Sequence, residues 1–261
     1  MLPSSIEHLS ENSELSMRYC KNLESLPNSL CNGPNLSYLH LSGSPGVEKM
    51  LENVLSSSSS PSGLLSLKRL ALSECNMEVL PSALSRLSSL YRLNLRGNEF
   101  ESLNLELVPS LRSLDISYCK RLKCLQASPR LDCLFASNCT SLETLPDINA
   151  SFLREKCFYY YYNCFKLDES TRVKIQADAR LRTKIMDPDP LSVFEVNYLT
   201  TKESFYERGS AIFCFPGSEI SYWFINRNQR SSIEIDLPPH RYSYKFVVFV
   251  MCIVASCESS N

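Results

Sequence analysis

Leu90-Tyr-Arg-Leu-Asn-Leu-Arg-Gly-Asn98 and Leu111-Arg-Ser-Leu-Asp-Ile-Ser-Tyr-Cys119 spell one pattern, L-x-x-L-x-L-x-x-(C/N/S). The pattern extends in both directions. Leu36, Leu39, Leu41 and Ser44 fit it, as do Leu67, Leu70, Leu72 and Cys75, and Leu131, Leu134, Ala136 and Cys139. Asn12, Leu15, Met17 and Cys20 make a weaker first copy. The copies start at 12, 36, 67, 90, 111 and 131, so the steps are 24, 31, 23, 21 and 20 residues. Each x-L-x-L-x reads as a short strand with its leucines turned inward. One such unit cannot bury that face alone, so neighbours must stack.

A period of about 20–29 residues with this pattern is similar to the leucine-rich repeat. The half of each unit between strands reads L-x-x-L-P-x-x-L, as in Leu23, Leu26, Pro27, Leu30 and again Met77, Leu80, Pro81, Leu84, with Leu142, Leu145, Pro146 last. Proline removes a donor and fixes φ, which suits an irregular convex side. Cys20, Cys75, Cys119 and Cys139 share the position of Ser44 and Asn98. They are expected to turn inward and bond backbone groups of the turn. The 31-residue step holds Ser56–Ser60, Pro61, Ser62 and Gly63, a low-complexity loop expected to leave the convex or edge side.

Strand residues pointing away from the leucines form the expected concave face, where stacked repeats usually bind partners. They are Glu14, Ser16 and Arg18; Tyr38, His40 and Ser42; Arg69, Ala71 and Ser73; Arg92, Asn94 and Arg96; Ser113, Asp115 and Ser117; and Cys133, Phe135 and Ser137. Arg18, Arg69, Arg92 and Arg96 make its centre basic, beside Tyr38 and His40. Arg and Tyr tend to dominate interfaces. An ordinary solvated sheet face fits the same residues. If the face binds, an acidic protein surface complements it.

Composition divides the 261 residues. Residues 1–150 hold 33 of the 39 leucines, and residues after 150 hold 20 of the 26 aromatics. Two domains are expected. The balance of 27 basic and 28 acidic residues gives no polyelectrolyte drive toward nucleic acid. Only three histidines occur and no C-x-x-C is present among the 12 cysteines, so neither a metal site nor any other cofactor is expected. The longest apolar run, Phe246–Ala255, is half of the roughly 20 residues a membrane helix needs. The start, Met-Leu-Pro-Ser-Ser-Ile-Glu, has no basic or apolar leader character, so no secretory signal and reduced thiols are expected.

After the repeats, Cys157-Phe-Tyr-Tyr-Tyr-Tyr-Asn-Cys-Phe-Lys-Leu167 is expected to add one strand-like rung that caps the apolar end. Asp168 reads as the N-cap of a helix over about 168–186, with Val173, Ala177 and Leu181 on its apolar face and Ile185 next. Beyond Asp187-Pro-Asp-Pro190 the chain turns β-like. Ser192–Tyr198, Ala211–Phe215, Ser231–Leu237 and Phe246–Ala255 read as strands of an antiparallel sandwich with too few strands to be whole. The expected fold is therefore an α/β leucine-rich-repeat solenoid over 1–150, an aromatic cap and helix over 151–190, and a partial all-β jelly-roll or Ig-like sandwich over 191–261 that stops inside the domain.

The ordered combination is more specific than the repeats. Asn163-Cys-Phe-Lys-Leu167 opens the helix. Phe215-Pro-Gly-Ser-Glu-Ile220 leads to Trp223-Phe224, and Ser231-Ser-Ile-Glu-Ile-Asp-Leu-Pro-Pro239 follows. Together they resemble the C-terminal part of plant TIR-type nucleotide-binding leucine-rich-repeat immune receptors, including their C-terminal jelly-roll/Ig-like domain. The family pattern has proline and an acidic residue where Ser221 and Tyr222 stand. No G-x-x-x-x-G-K-[ST] phosphate loop occurs, so nucleotide binding is not carried over.

The resemblance implies recognition of a pathogen effector protein, or contact with receptor domains absent here, in the cytoplasm or nucleus. The loops around Pro216–Phe224, with Ser221 and Tyr222, join the concave residues as candidates. For Pro216, Gly217 and Trp223 a turn and a packed core aromatic are the plainer roles. Three other readings stand beside this one. A gene fragment or generic repeat scaffold is the first. A cysteine enzyme using His240, or a serine hydrolase, is the second, but no G-x-S-x-G occurs. An extracellular receptor is the third. Its sequons would be Asn35, Asn138 and Asn149, and a glycan on Asn35 or Asn138 would collide with stacking. No enzyme activity is expected.

Overall fold

The computed structural model describes residues 13–26, 30, 36–57, 62–126, 131–146, 156–186 and 210–214. Asn12, Pro27, Asn35, Asn149, the Ser58–Pro61 stretch and the sites and strands expected after Cys214 or over 192–198 lie outside them. The strands are β1 (Ser13–Ser16), β2 (Leu36–His40), β3 (Arg69–Ala71), β4 (Arg92–Asn94), β5 (Ser102–Asn104), β6 (Ser113–Asp115), β7 (Cys124–Gln126), β8 (Cys133–Phe135), β9 (Lys156–Tyr160) and β10 (Ser210–Cys214). The helices are α1 (Val47–Ser57), α2 (Ser62–Leu65) and α3 (Glu169–Met186).

One parallel sheet runs β1-β2-β3-β4-β6-β8-β9-β10, one strand per repeat. Its register stacks like on like. Leu39 pairs with Leu70, Leu70 with Leu93, Leu93 with Leu114, Leu114 with Leu134, and Leu134 with Tyr159. All six side chains are solvent-free on the core side. Each such leucine contributes about 2 kcal/mol by leaving water. A mostly parallel sheet of this kind fits the leucine-rich-repeat-like part of the expected fold, and Tyr159 takes the leucine niche in the aromatic rung.

A second ladder closes each turn. The Oγ of Ser44 donates to the Met17 carbonyl at 3.3 Å, and Cys75 Sγ to Leu41 at 3.5 Å. Asn98 Nδ2 donates to Leu72 at 2.8 Å, Cys119 Sγ to Leu95 at 3.3 Å, and Cys139 Sγ to Ile116 at 3.0 Å. Cys164 Sγ donates to Ala136 at 2.9 Å and extends the ladder one rung past the expected four cysteines. Cys20 bonds within its own turn, to the Arg18 carbonyl at 3.7 Å. The residue before each rung sits at positive φ: Tyr19, Gly43, Glu74, Gly97, Tyr118, Asn138 and Asn163, between 54° and 72°. That conformation is costly for side chains other than Gly or Asn. The turn imposes it on all seven.

The other side of the core is less irregular than the prolines suggest. In the long step α1 and α2 bury Val47, Leu51, Val54, Leu55 and Leu64. β5 and β7 pair in a separate two-stranded parallel sheet.

Helix α3 begins as expected. The Thr171 N–H donates to Asp168 Oδ1 at 2.6 Å, an N-cap. The buried face is not the one expected. Thr171, Ile175 and Ala179 point into the core, whereas Val173 is 54% exposed and Ala177 is exposed. Both sets are spaced i, i+4, i+8, and tertiary packing buries the Thr171, Ile175, Ala179 set. The strand expected around Ala211–Phe215 exists as β10, but it is not antiparallel. It pairs in parallel with β9, Cys214 opposite Tyr160. A parallel neighbour needs a crossover, and α3 lies in it.

Candidate functional site

The face of the main sheet turned from the leucines carries side chains in three register rows. The first runs Glu14, Tyr38, Arg69, Arg92, Ser113, Cys133, Phe158. The second runs Ser16, His40, Ala71, Asn94, Asp115, Phe135, Tyr160. The third is fixed by the turn hydrogen bonds: Tyr19 to Ser42, Gly43 to Ser73, Glu74 to Arg96, Gly97 to Ser117 and Tyr118 to Ser137.

The four expected arginines do not form one column. Arg69 and Arg92 are neighbours in the first row. Arg69 is ion-paired with Glu14, and its guanidinium lies 4.7 Å from the Tyr38 ring centre. Its charge is largely spent. Arg18 and Arg96 share the third row, but the rungs of β2 and β3 separate them. Arg18 lies 5.7 Å over Tyr19. Arg92 lies 6.0 Å over Tyr91, and Arg96 4.0 Å over Tyr118. Among the described residues no carboxylate comes within ion-pair distance of Arg92 or Arg96. Arg18 has none either, so the unpaired positive charge of the face lies at the β1 turn and around β4.

Tyr38 and His40 form a unit. The phenol and His40 Nδ1 are 3.0 Å apart. Burial first, and the Arg18 charge second, push the imidazole pKa below its usual value. Asn94 and Asp115 are partly consumed by the fold. The Arg96 N–H donates to Asn94 Oδ1 at 3.0 Å, and the Ser117 N–H to Asp115 Oδ1 at 2.9 Å. These are side-chain turns that bend the chain out of the strand. Phe135 stacks on Tyr160, rings 5.3 Å apart and 13° from parallel. Ser42, Ala71 and Ser117, expected to face outward, are buried.

Sequence reasoning missed Tyr91, Tyr118 and Tyr160. Tyr118 stands where other copies have Gly97 and Asn138, so no periodicity marks it. Tyr160 was legible: Phe158 to Cys164 repeats the motif with tyrosines in the leucine places. Ser221 and Tyr222 lie outside the described residues.

The described residues hold no group of three or more His, Cys, Asp or Glu side chains placed to hold a metal ion. Burial pushes the Cys75 thiol up and takes Cys119 to about 12. The bond to Cys164, then burial, raises Cys139. Such thiols stay protonated and are poor nucleophiles. No described helix is long and apolar enough to cross a membrane.

Comparison with known proteins gives two kinds of match. The C-JID domain family matches residues 215–261. Disease resistance-like protein DSC1 of Arabidopsis thaliana is 31% identical over 200 residues, 74% of this chain and 16% of that protein. Disease resistance protein RPP2B of the same plant is 30% identical over 75% of this chain and 16% of its own length. Disease resistance protein RPS4, also from Arabidopsis thaliana, is 27% identical over 98% of this chain and 20% of its own. The chain therefore spans about a sixth to a fifth of the length of these relatives. One solved chain, from the Toll–Spatzle complex of Drosophila, is 17% identical and superposes at a TM-score of 0.32 over 56% of this chain and 25% of that one.

Proposed function

We propose, on the premise that this sequence is kin to the C-terminal part of plant TIR-type nucleotide-binding leucine-rich-repeat disease-resistance proteins, that it is a protein-recognition module of an intracellular immune receptor. In this reading the stacked repeats form a solenoid, and residues 215–261 form a C-terminal jelly-roll/Ig-like domain joined to it. The open face of the sheet binds a pathogen effector protein or another domain of the receptor. The module works in the cytoplasm or nucleus, holds no cofactor and catalyses nothing.

One observation carries the reading. The face holds three arginines with no acidic partner among the described residues, Arg18, Arg92 and Arg96, each set against a tyrosine ring, and it carries the stacked Phe135–Tyr160 pair. A solvated structural face has no need of this grouping. Large aromatics and arginines concentrated in one exposed region are what protein interfaces use.

The test is an array of secreted plant-pathogen proteins probed with the purified 261-residue chain. At least one saturable partner is expected, with binding lost on Arg92→Glu/Arg96→Glu. An array without a saturable partner would contradict the reading.

A further inference from the structure

We infer that the open face reads an acidic segment bearing an aromatic or large apolar residue, through three points: Arg92, Arg96 and the Phe135–Tyr160 shelf. This rests on the recognition reading above and names the chemistry of the partner.

Charge sets the first two points. Arg69 is neutralised by Glu14, and Arg18 stands on β1's turn, three strands from Arg96. Arg92 opens β4 and Arg96 lies two residues past its end, so these two unpaired arginines stand together while Arg18 stands apart. Arg96 is fixed in place. Its own N–H donates to Asn94, its carbonyl accepts from Glu74, and its guanidinium rests on Tyr118. A guanidinium stacked on a ring keeps its N–H edge free, and that planar fork matches a carboxylate. The nearby carboxylates are turned to other work. Asp115 holds the Ser117 N–H, and Glu74 accepts the Tyr19 hydroxyl at 3.2 Å.

The third point lies across the strands. β6 alone separates β4 from β8, which carries Phe135, and neighbouring strands are about 4.8 Å apart. The shelf is therefore about 10 Å from β4. On β6 the rows hold Ser113, Asp115 and Ser117; the two serines leave room for a chain to cross on either side of Asp115, whose carboxylate is engaged by the Ser117 N–H. Glu14, Asp115 and Glu74 on the same face oppose a polyanion. An evenly charged nucleic-acid backbone meets repulsion where a peptide with spaced acidic residues does not.

The experiment measures fluorescence anisotropy of the full 261-residue chain with three labelled probes: a glutamate–tyrosine copolymer, polyglutamate and oligothymidylate. The copolymer is expected to bind at least about tenfold more tightly than either other probe. Arg92→Glu/Arg96→Glu should weaken the copolymer by about tenfold or more. Phe135→Ala should weaken the copolymer several-fold and leave polyglutamate unchanged. Arg96→Lys, which keeps charge but loses the stack, should fall between. Arg121→Glu, outside the face and paired with Glu101, should stay near wild type.

Equal losses for Arg121→Glu and the double reversal would overturn the inference, as would oligothymidylate binding as tightly as the copolymer. Every variant is first matched to wild type by its urea midpoint, so a folding loss is not read as a binding loss. If the copolymer pattern fails while the array yields a partner, only this chemistry falls. If the pattern holds and the array is empty, recognition of a pathogen protein falls.

Discussion

Tyr19 lies across Gly43 so closely that a Cβ added to Gly43 would stand 2.1 Å from Tyr19 Cδ1. The tyrosine reaches over the β2 rung, and its hydroxyl bonds Glu74 on the next one at 3.2 Å. A single side chain thereby clamps three repeats at the β1 end of the described sheet. Gly43 also has a φ of +72°.

Gly43→Ala should therefore cost twice, once for the left-handed backbone, about 1–2 kcal/mol, and again for displacing Tyr19. Gly46 shares the conformation at +70°, but its nearest atom is 4.0 Å away, so Gly46→Ala should cost only the backbone share. Urea denaturation separates the two, and adding Tyr19→Ala should shrink the difference. Equal costs at both glycines would refute the clamp.

The rung residues differ in what they satisfy. Asn98 donates to Leu72 and Leu95 and accepts from the N–H groups of Cys75 and Met77. Cys119 donates once, to Leu95. Asn98→Ala strands several buried groups and should cost about 3 kcal/mol or more, against about 1 kcal/mol for Cys119→Ser. Similar unfolding midpoints for the two variants would contradict the ladder's hydrogen-bond logic.

Alkali should weaken the fold through the same ladder. A buried thiol with a raised pKa binds its proton in the native state after the unfolded chain has lost it. Stability is then full below the unfolded value near 9 and falls as pH rises toward about 12 for Cys119. Each such thiol adds a slope of about 1.4 kcal/mol per pH unit in that window. Cys119→Ser should remove one thiol's share of the slope in urea titrations between pH 9 and 11. An unchanged slope would mean Cys119 is not the titrating group. Iodoacetamide at pH 8 should leave Cys75, Cys119 and Cys139 unlabelled until the chain unfolds.

The buried face of α3 gives a fourth test. Ile175→Ala should cost about 2 kcal/mol by leaving a cavity, whereas Val173→Ala should change stability by less than about 0.5 kcal/mol. The reverse order would restore the face read from the sequence.

That reversal shows where reading residues alone ran short. The strands were legible because one leucine niche recurs, and Leu93, Leu114 and Leu134 sit on it in register. The thiol ladder was legible for the same reason. Helix α3 carries two sets at helical spacing, and only tertiary packing decides between them. Of the candidate site, the register rows were legible, since alternation fixes which residues share a face. Arg69's partner was not, because Glu14 is 55 residues away in sequence. Tyr118 was hidden by its backbone: a tyrosine at φ 64° aims its ring where no periodic rule places it.

The central claim is that the open face of the main sheet, and not the opposite side, is the recognition surface. Hydroxyl-radical footprinting of the chain with and without a partner from the array tests it most directly. Protection of Tyr38, Tyr118, Phe135 and Tyr160 is expected, with Val79 and Phe165, 63% and 66% exposed, oxidised as before. Protection confined to Val79 and Phe165, with the four face aromatics unchanged, would contradict it.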